Sequence, residues 1–313
     1  MVTSPAMTQH ASAFATVGIT GKPGDPSVAE TVSRLLPLLT RRKCRILLDA
    51  ETTAANAGGA AKAVPRGELA AGADLVIAVG GDGTLINTAR SLANRDDVAL
   101  MGINRGRLGF LVDVAPERLE EDVQHVLRGD CIVEERMLLS AEVRRDSNDS
   151  VVSSSLAVND VVVHRWDTAR MVELTTHIDG ELLNHHRSDG LVVATPTGST
   201  AYAMAGGGPI THPRLKAMVL VPICPHTLSN RPLVVDATSR VEVRVSPEHT
   251  HHVRVSCDSQ EDLGVVEESR LVIRSHPTPL RLVHPPGYGY FDILRAKLGW
   301  GGPSGGGSRS QKR

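Results

Sequence analysis

Five apolar residues, Leu75-Val76-Ile77-Ala78-Val79, run straight into Gly80-Gly81-Asp82-Gly83-Thr84. A short apolar run that stops at a glycine cluster reads as a strand buried on both faces. Beyond the turn, Leu85, Ile86, Ala89 and Leu92 fall on one helical face. The order is therefore strand, tight turn, helix. It places backbone N–H groups and a helix N-terminus at the carboxyl edge of a sheet, where phosphates bind. The turn lacks the lysine of G-x-x-x-x-G-K-[ST] and the spacing of G-x-G-x-x-G. Taken alone it also reads as a plain connection, with Asp82 as a helix cap.

The chain of 313 residues is long enough for two domains. Its formal net charge of −1 points to neither nucleic acid nor an anionic membrane as partner. Aromatic residues make up 3%, too few for stacking platforms, so Val, Leu, Ile and Ala must build the core. Cys44, Cys131, Cys224 and Cys257 are far apart, with no zinc spacing, and read as free thiols in a reducing compartment. No apolar run approaches the ~20 residues that span a bilayer. Met1 to Ala13 lacks the pattern of a secretory signal, so the expected location is cytoplasmic.

Residues 1–14 read as a disordered N-terminus. An α/β domain is expected over 15–131, with strands at Ala15–Ile19, Arg45–Leu48, Leu75–Val79 and Val98–Ile103. Asp25-Pro26-Ser27 is a helix start leading into Val28 to Leu39, and the helix from Pro116 to Leu127 stops at Gly129. This alternation predicts an open, mostly parallel sheet with helices on both faces. Asn104 to Leu111, with two arginines and two glycines, reads either as a loop beside a phosphate or as a solvated surface loop.

From Ile132 short alternating runs take over, including Leu138–Val143, Leu156–Val163, Met171–Ile178, Leu191–Ala194 and Val241–Val245. Asp179-Gly180 is the signal of a type I′ hairpin. A β-rich, sandwich-like domain is expected over 132–286. Helical spacing returns from Tyr288 to Trp300, and the Gly/Ser-rich, basic run 301–313 reads as a disordered tail.

Three stretches of the second domain carry polar residues that a core strand does not need. Asn159-Asp160 stands at a strand entrance, as a binding pair or a simple turn. Arg187-Ser188-Asp189-Gly190 leads into Leu191–Ala194, and Thr195-Pro196-Thr197-Gly198-Ser199-Thr200-Ala201-Tyr202 follows at once. Capping explains one hydroxyl of that loop, not four. Backbone N–H groups and small side chains there suit the close approach of a nucleotide. His185-His186 and His249, His251 and His252 have no partner at ligand spacing, so no metal ligands are assignable. No G-x-S-x-G elbow is present.

Together these stretches resemble the NAD kinase family, in its Gram-negative bacterial type. The resemblance rests on Gly80–Thr84, Asn104 to Phe110, Asn159-Asp160, Arg187 to Tyr202, Val221–Leu233 and Cys257-Asp258-Ser259-Gln260, and extends from about Ala15 to Trp300. It implies transfer of the γ-phosphoryl of ATP to the 2′-hydroxyl of the adenosine ribose of NAD, giving NADP. It also implies Mg²⁺ or another divalent cation, a homodimer or homotetramer, and a C-terminal helix (287–300) packing back on the first domain.

By the same resemblance Asp82 is the general base, a role this reaction needs because an alkoxide is hard to form unaided. Gly80, Gly81, Gly83 and Thr84 face phosphate. NAD is held by Asp82, Gly83, Phe110, Asn159, Asp160, Arg170, Arg187, Asp189, Thr197, Thr200, Ala201, Tyr202, Ala203, Met204, Ala205 and Gln260. Asp160 is one methylene shorter than the Glu more common there, Arg170 stands where relatives can carry His, and Arg187 accompanies ATP rather than polyphosphate as donor. Lipid kinases and phosphofructokinases share the glycine–aspartate turn, so another acceptor is one alternative, separable by an acceptor screen. A dinucleotide sensor without turnover is another, separable by binding without product.

Overall fold

Buried branched strands alternating with amphipathic helices build the first unit. The computed structural model describes residues 12–52, 59–105, 109–167, 170–227, 229–264 and 267–300. Most of the expected loose N-terminus and all of the 301–313 tail lie outside them, as do residues 106–108 of the arginine-glycine loop. The strands here are β1 (Thr16–Gly21), β2 (Arg45–Asp49), β3 (Lys62–Val64), β4 (Leu75–Val79), β5 (Ala99–Ile103) and β6 (Ile132–Arg136). Between them run α1 (Pro26–Arg41), α2 (Arg66–Gly72), α3 (Asp82–Leu92) and α4 (Leu119–Leu127). Asp25 caps α1, accepting from the Ser27 N–H at 3.0 Å.

The second unit carries β7 (Leu139–Arg145), β8 (Val151–Ala157), β9 (Asp160–Arg165), β10 (Val172–Ile178), β11 (Glu181–Ser188), β12 (Gly190–Ala194), α5 (Tyr202–Ala205), β13 (Ala217–Ile223), β14 (Leu233–Asp236), β15 (Val241–Val245), β16 (Val253–Cys257), β17 (Glu261–Asp262) and β18 (Ser269–Ser275). The chain then returns through β19 (Leu280–His284) and ends in α6 (Tyr290–Leu298).

The first sheet has the order β3-β2-β1-β4-β5-β19-β6, parallel except where β6 runs against β19. α1 and α4 cover one face; α2 and α3 cover the other. β1 lies between β2 and β4, so the strand order reverses there, and the Gly80–Thr84 turn opens at that switch point. Sheets β11-β10-β15-β18-β7-β8 and β14-β13-β12-β9-β16-β17 form the antiparallel sandwich, with Val161, Val163, Leu191 and Val193 of one packed against Ala141, Val143, Leu271 and Ile273 of the other.

Three differences from the sequence reading have physical causes. β6 and β19 lie inside the expected 132–286 unit but pair in the first sheet, so the sandwich is inserted between them. The run Leu156–Val163 is two strands, because the N–H groups of Val158, Asn159 and Asp160 turn to the Asp258 carboxylate instead of a strand partner. α6 lies at the junction of both units, with Tyr290 against His212 and Lys297 over the Phe110 ring. The Asp179-Gly180 hairpin has φ of 53° and 89°, as a type I′ turn requires.

β4 is the middle strand of the first sheet, and Ile77 is fully buried in it. Ile77→Ala should lower unfolding stability by about 2–5 kcal/mol, the usual cost of such a cavity. Urea unfolding measures this, and a loss below about 1 kcal/mol would contradict the packing described.

Candidate active site

A carboxylate in the first turn of a helix normally faces its own helix N-terminus. Asp82, the first residue of α3, instead reaches across to the segment after β5. Its Oδ2 accepts from the Phe110 N–H at 2.8 Å, and its Oδ1 from those of Leu111 at 3.2 Å and Val112 at 3.1 Å. Gly109 makes the approach possible: a Cβ there would stand 1.9 Å from Oδ1. A pinned carboxylate thus sits at the mouth of the glycine turn. Within the turn, the Gly80 N–H donates to Ile103 O at 3.0 Å and the Thr84 N–H to Gly81 O at 3.0 Å. Among the described residues, nothing beyond its chain neighbours lies within 4 Å of where a Gly81 side chain would begin, and at Gly83 the nearest such atom is Gln260 Nε2 at 3.6 Å.

The turn is tied to the sandwich by the tight turn after β16. Gln260 Nε2 donates to Gly83 O at 3.2 Å, while Arg90 of α3 donates to Gln260 Oε1 at 2.7 Å and to Asp258 Oδ2 at 3.2 Å. Asp258 also accepts from the N–H groups of Val158 (3.0 Å), Asn159 (2.7 Å) and Asp160 (3.3 Å). One carboxylate therefore joins the helix that carries Asp82 to the Asn159-Asp160 pair. Arg90 and Asp258 escaped the sequence reading as site residues because their pairing spans the whole sandwich. The only signal available was an acid beside Gln260 in a stretch already singled out.

Burial pushes the Asp160 carboxyl up to about 7, the neighbouring Asp258 adds to the shift, and the Tyr202 N–H opposes it. Burial raises Asp258 too, but three N–H groups and Arg90 pull it back. With one opposing donor against four, the rise is the less opposed at Asp160.

Beside Tyr202 lies a cavity of about 500 Å³, a size that suits a nucleoside. Its floor is formed by β9, β13 and β16, through Val162, His164, Ile223 and Ser256. Tyr202 is 44% exposed, and Asp189 lines the same space, ion-paired to Arg165 at 3.0 Å. Trp166, with Arg254 stacked 3.6 Å from its ring centre, forms another wall that the sequence reading missed.

The hydroxyls of the Thr195–Thr200 loop turn inward. Thr195 Oγ1 donates to Val158 O at 2.7 Å, Ser199 Oγ to Pro196 O at 2.6 Å and Thr200 Oγ1 to Thr197 O at 3.1 Å. They shape the loop, which crosses so close to Asn159 that a Cβ on Gly198 would stand 2.0 Å from Asn159 O. Ala203 packs on the sheet with Val192 and Val219, whereas Ala201 and Met204 are half-buried and Ala205 is exposed. Phe110 is half-buried beside Asp82, and Asn159 is half-buried beside Asp258. Arg170 is exposed. Arg187 is not brought to the Tyr202 cavity; it pairs with Glu173 on a separate cleft of about 960 Å³ that His185, His226 and Arg244 also line. Among the described residues no group of three or more His, Cys, Asp or Glu side chains is placed to hold a metal.

An α/β unit with an acid-bearing glycine turn at its switch point, tied to a sandwich with a nucleoside-sized cavity, defines a two-domain nucleotide-handling protein. Residues 17–131 match the ATP-NAD kinase N-terminal domain and residues 158–285 the ATP-NAD kinase C-terminal domain. An NAD kinase of Halorhodospira halophila is 62% identical over 291 residues, covering 93% of this chain and 94% of the relative. One from Nitrosococcus oceani is 46% identical, covering 93% and 98%. The chain belongs to the NAD kinase family. Among solved structures, an NAD kinase from Archaeoglobus fulgidus in complex with ATP superposes with a TM-score of 0.69 at 26% identity, over 91% of this chain and 97% of that one. Yeast NADH kinase complexed with NADH shares the fold at a TM-score of 0.81 and 23% identity, over 95% and 89%.

Gly109→Ala should displace the Asp82 carboxylate and lower turnover about tenfold or more, since misplacement by ~1 Å can cost 10²-fold. Steady-state kinetics on folded protein checks this, and unchanged kcat would contradict it. For Asp160, the folded value near 7 exceeds the unfolded value of ~3.9, so its contribution is full below about 4 and lost as pH rises to about 7. The stability of the protein minus that of Asp160→Asn should therefore fall over that window in urea titrations. A flat difference would contradict the shift.

Proposed function

We propose that this chain transfers the γ-phosphoryl of ATP to the 2′-hydroxyl of the adenosine ribose of NAD, with Asp82 as general base. The observation that carries the assignment of the base is the pinned Asp82 carboxylate. A carboxylate has about four lone-pair sites. Three are taken by N–H groups, two on Oδ1 and one on Oδ2, so Oδ2 retains the capacity to accept the hydroxyl proton. Three donors fix its direction, which is what a base needs when the acceptor oxygen must attack in line.

Phosphate recognition narrows to the N–H groups around Gly81 and Gly83, because those of Gly80 and Thr84 already have partners. Their place at the N-terminus of α3 favours the charge that develops on the transferred group. The adenosine lies in the Tyr202 cavity, with the exposed tyrosine ring offering a stacking face and Asp189 meeting a polar edge, while Asn159, Asp160 and Gln260 are proposed to hold the dinucleotide beyond the cavity. Mg²⁺ bound with ATP would neutralise phosphate charge there, with waters and substrate phosphates supplying most of its ligands. Among the described residues no group of three or more His, Cys, Asp or Glu side chains is placed to cage it.

The preference for ATP over polyphosphate, expected from Arg187, belongs to the same proposal, as does a cytoplasmic setting, which suits the four free thiols. A homodimer or homotetramer is supported by Leu182 and Leu183, exposed on the edge strand β11. A monomer by sedimentation would remove that part.

Purified protein incubated with ATP, Mg²⁺ and NAD should yield NADP, read with an NADP-specific dehydrogenase. Asp82→Asn should lower kcat by about 10²-fold or more while NAD binding changes within about threefold. Folded protein that makes no NADP would overturn the proposal.

A further inference from the structure

A second chain of polar contacts runs between the loop that pins Asp82 and the loop that frames the cavity. Asp113 directly follows the three residues whose N–H groups hold Asp82. Its Oδ2 accepts from His284 Nδ1 at 3.0 Å. His284, 1% exposed at the end of β19, has its Nε2 3.8 Å from Glu134 Oε2 and its ring stacked on Tyr288 at 3.7 Å. Glu134 Oε2 accepts from Arg136 Nη2 at 2.6 Å. Arg136, also 1% exposed, donates from the same nitrogen to the Tyr288 hydroxyl at 2.9 Å and from Nη1 to Thr197 Oγ1 at 3.5 Å. Arg214 approaches the other oxygen of Glu134 at 3.9 Å.

An arginine and a glutamate buried this deeply contribute little net stability, because desolvation offsets their attraction. What such a pair does supply is fixed geometry, since a guanidinium holds its partners in a rigid planar fork. Here the fork sits where β6 and β19 bring the sandwich back to the first sheet. Its partners lead one way to the Asp82 loop and the other way to Thr197.

We propose that Arg136 and His284 are positioning residues for phosphoryl transfer, keeping the Asp82-pinning loop and the Thr195–Tyr202 loop in register through the chain Asp113–His284–Tyr288–Arg136–Thr197. Neither residue touches the substrates in this scheme. They act by holding base and acceptor in mutual alignment, and the inference rests on Asp82 being the base.

The test is a double-mutant cycle on the full chain with ATP, Mg²⁺ and NAD. Arg136→Lys keeps the charge but loses the fork, and His284→Gln loses the Nδ1 link to Asp113. Each should lower kcat about tenfold or more with NAD affinity by calorimetry within about threefold. The double variant should lie within about threefold of the worse single one, because one broken link already uncouples the loops. Singles within about twofold of the original kcat, or losses that multiply in the double variant, would overturn the proposal. A merely structural role for the charge would leave Arg136→Lys active. If either variant fails to fold, Asp113→Ala and Tyr288→Phe cut links of the same chain and carry the same expectations. Asp82→Asn in parallel separates the two readings. Full activity there removes the base, whereas lost activity there beside unaffected positioning variants removes only the coupling.

Discussion

Three N–H groups on one carboxylate hold the site together. Asp82 faces the segment after β5 rather than capping its own helix, and Phe110, Leu111 and Val112 all donate to it. The contact sets the path of that segment, requires glycine at 109, and leaves the turn before α3 open at Gly81. It also fixes the direction of the carboxylate and leaves one lone-pair site on Oδ2 clear of these three donors. On the proposed role of Asp82 as base, the acceptor hydroxyl must come to that point.

The sandwich brings it there. Inserted between β6 and β19, it is anchored to the first sheet at both ends and again through Arg90, Asp258 and Gln260. Asp258 does two things at once: it breaks the strand before Asn159 and binds the helix of the glycine turn. The pocket surface is therefore registered to Asp82 by charge-assisted bonds through Arg90 and Asp258, which are stronger than neutral ones. The hydroxyl-rich loop belongs to the same logic. Its side chains satisfy its own backbone, leaving Tyr202 to face the cavity.

Local chemistry was legible in the sequence; long-range pairing was not. The buried run Leu75–Val79, the cap at Asp25 and the turn at Asp179-Gly180 declare themselves within a few residues, and each forms as its spacing demands. The glycine–aspartate turn and the Thr195–Tyr202 loop could be placed as site elements for the same reason. β6 and β19 could not be assigned to the first sheet, because Ile132–Arg136 reads alike in either sheet and its partner lies beyond the whole sandwich. Four hydroxyls in six residues suggested ligand contacts, yet three of them donate to nearby carbonyls and the fourth, Thr197, meets Arg136, which residue type alone does not reveal. Arg187 stands two residues from Asp189 in the chain and opens on a different cleft, because the chain passes from β11 in one sheet to β12 in the other at that point.

The central claim is that the pinned carboxylate meets the ribose hydroxyl held by the sandwich. A crystal structure of the protein with NAD bound tests it most directly. The account predicts the 2′-hydroxyl of the adenosine ribose within about 2.6–3.2 Å of Asp82 Oδ2, with the three N–H bonds to that carboxylate intact. A hydroxyl more than about 5 Å from Asp82, or one that faces another acid while Asp82 stays capped, would contradict it.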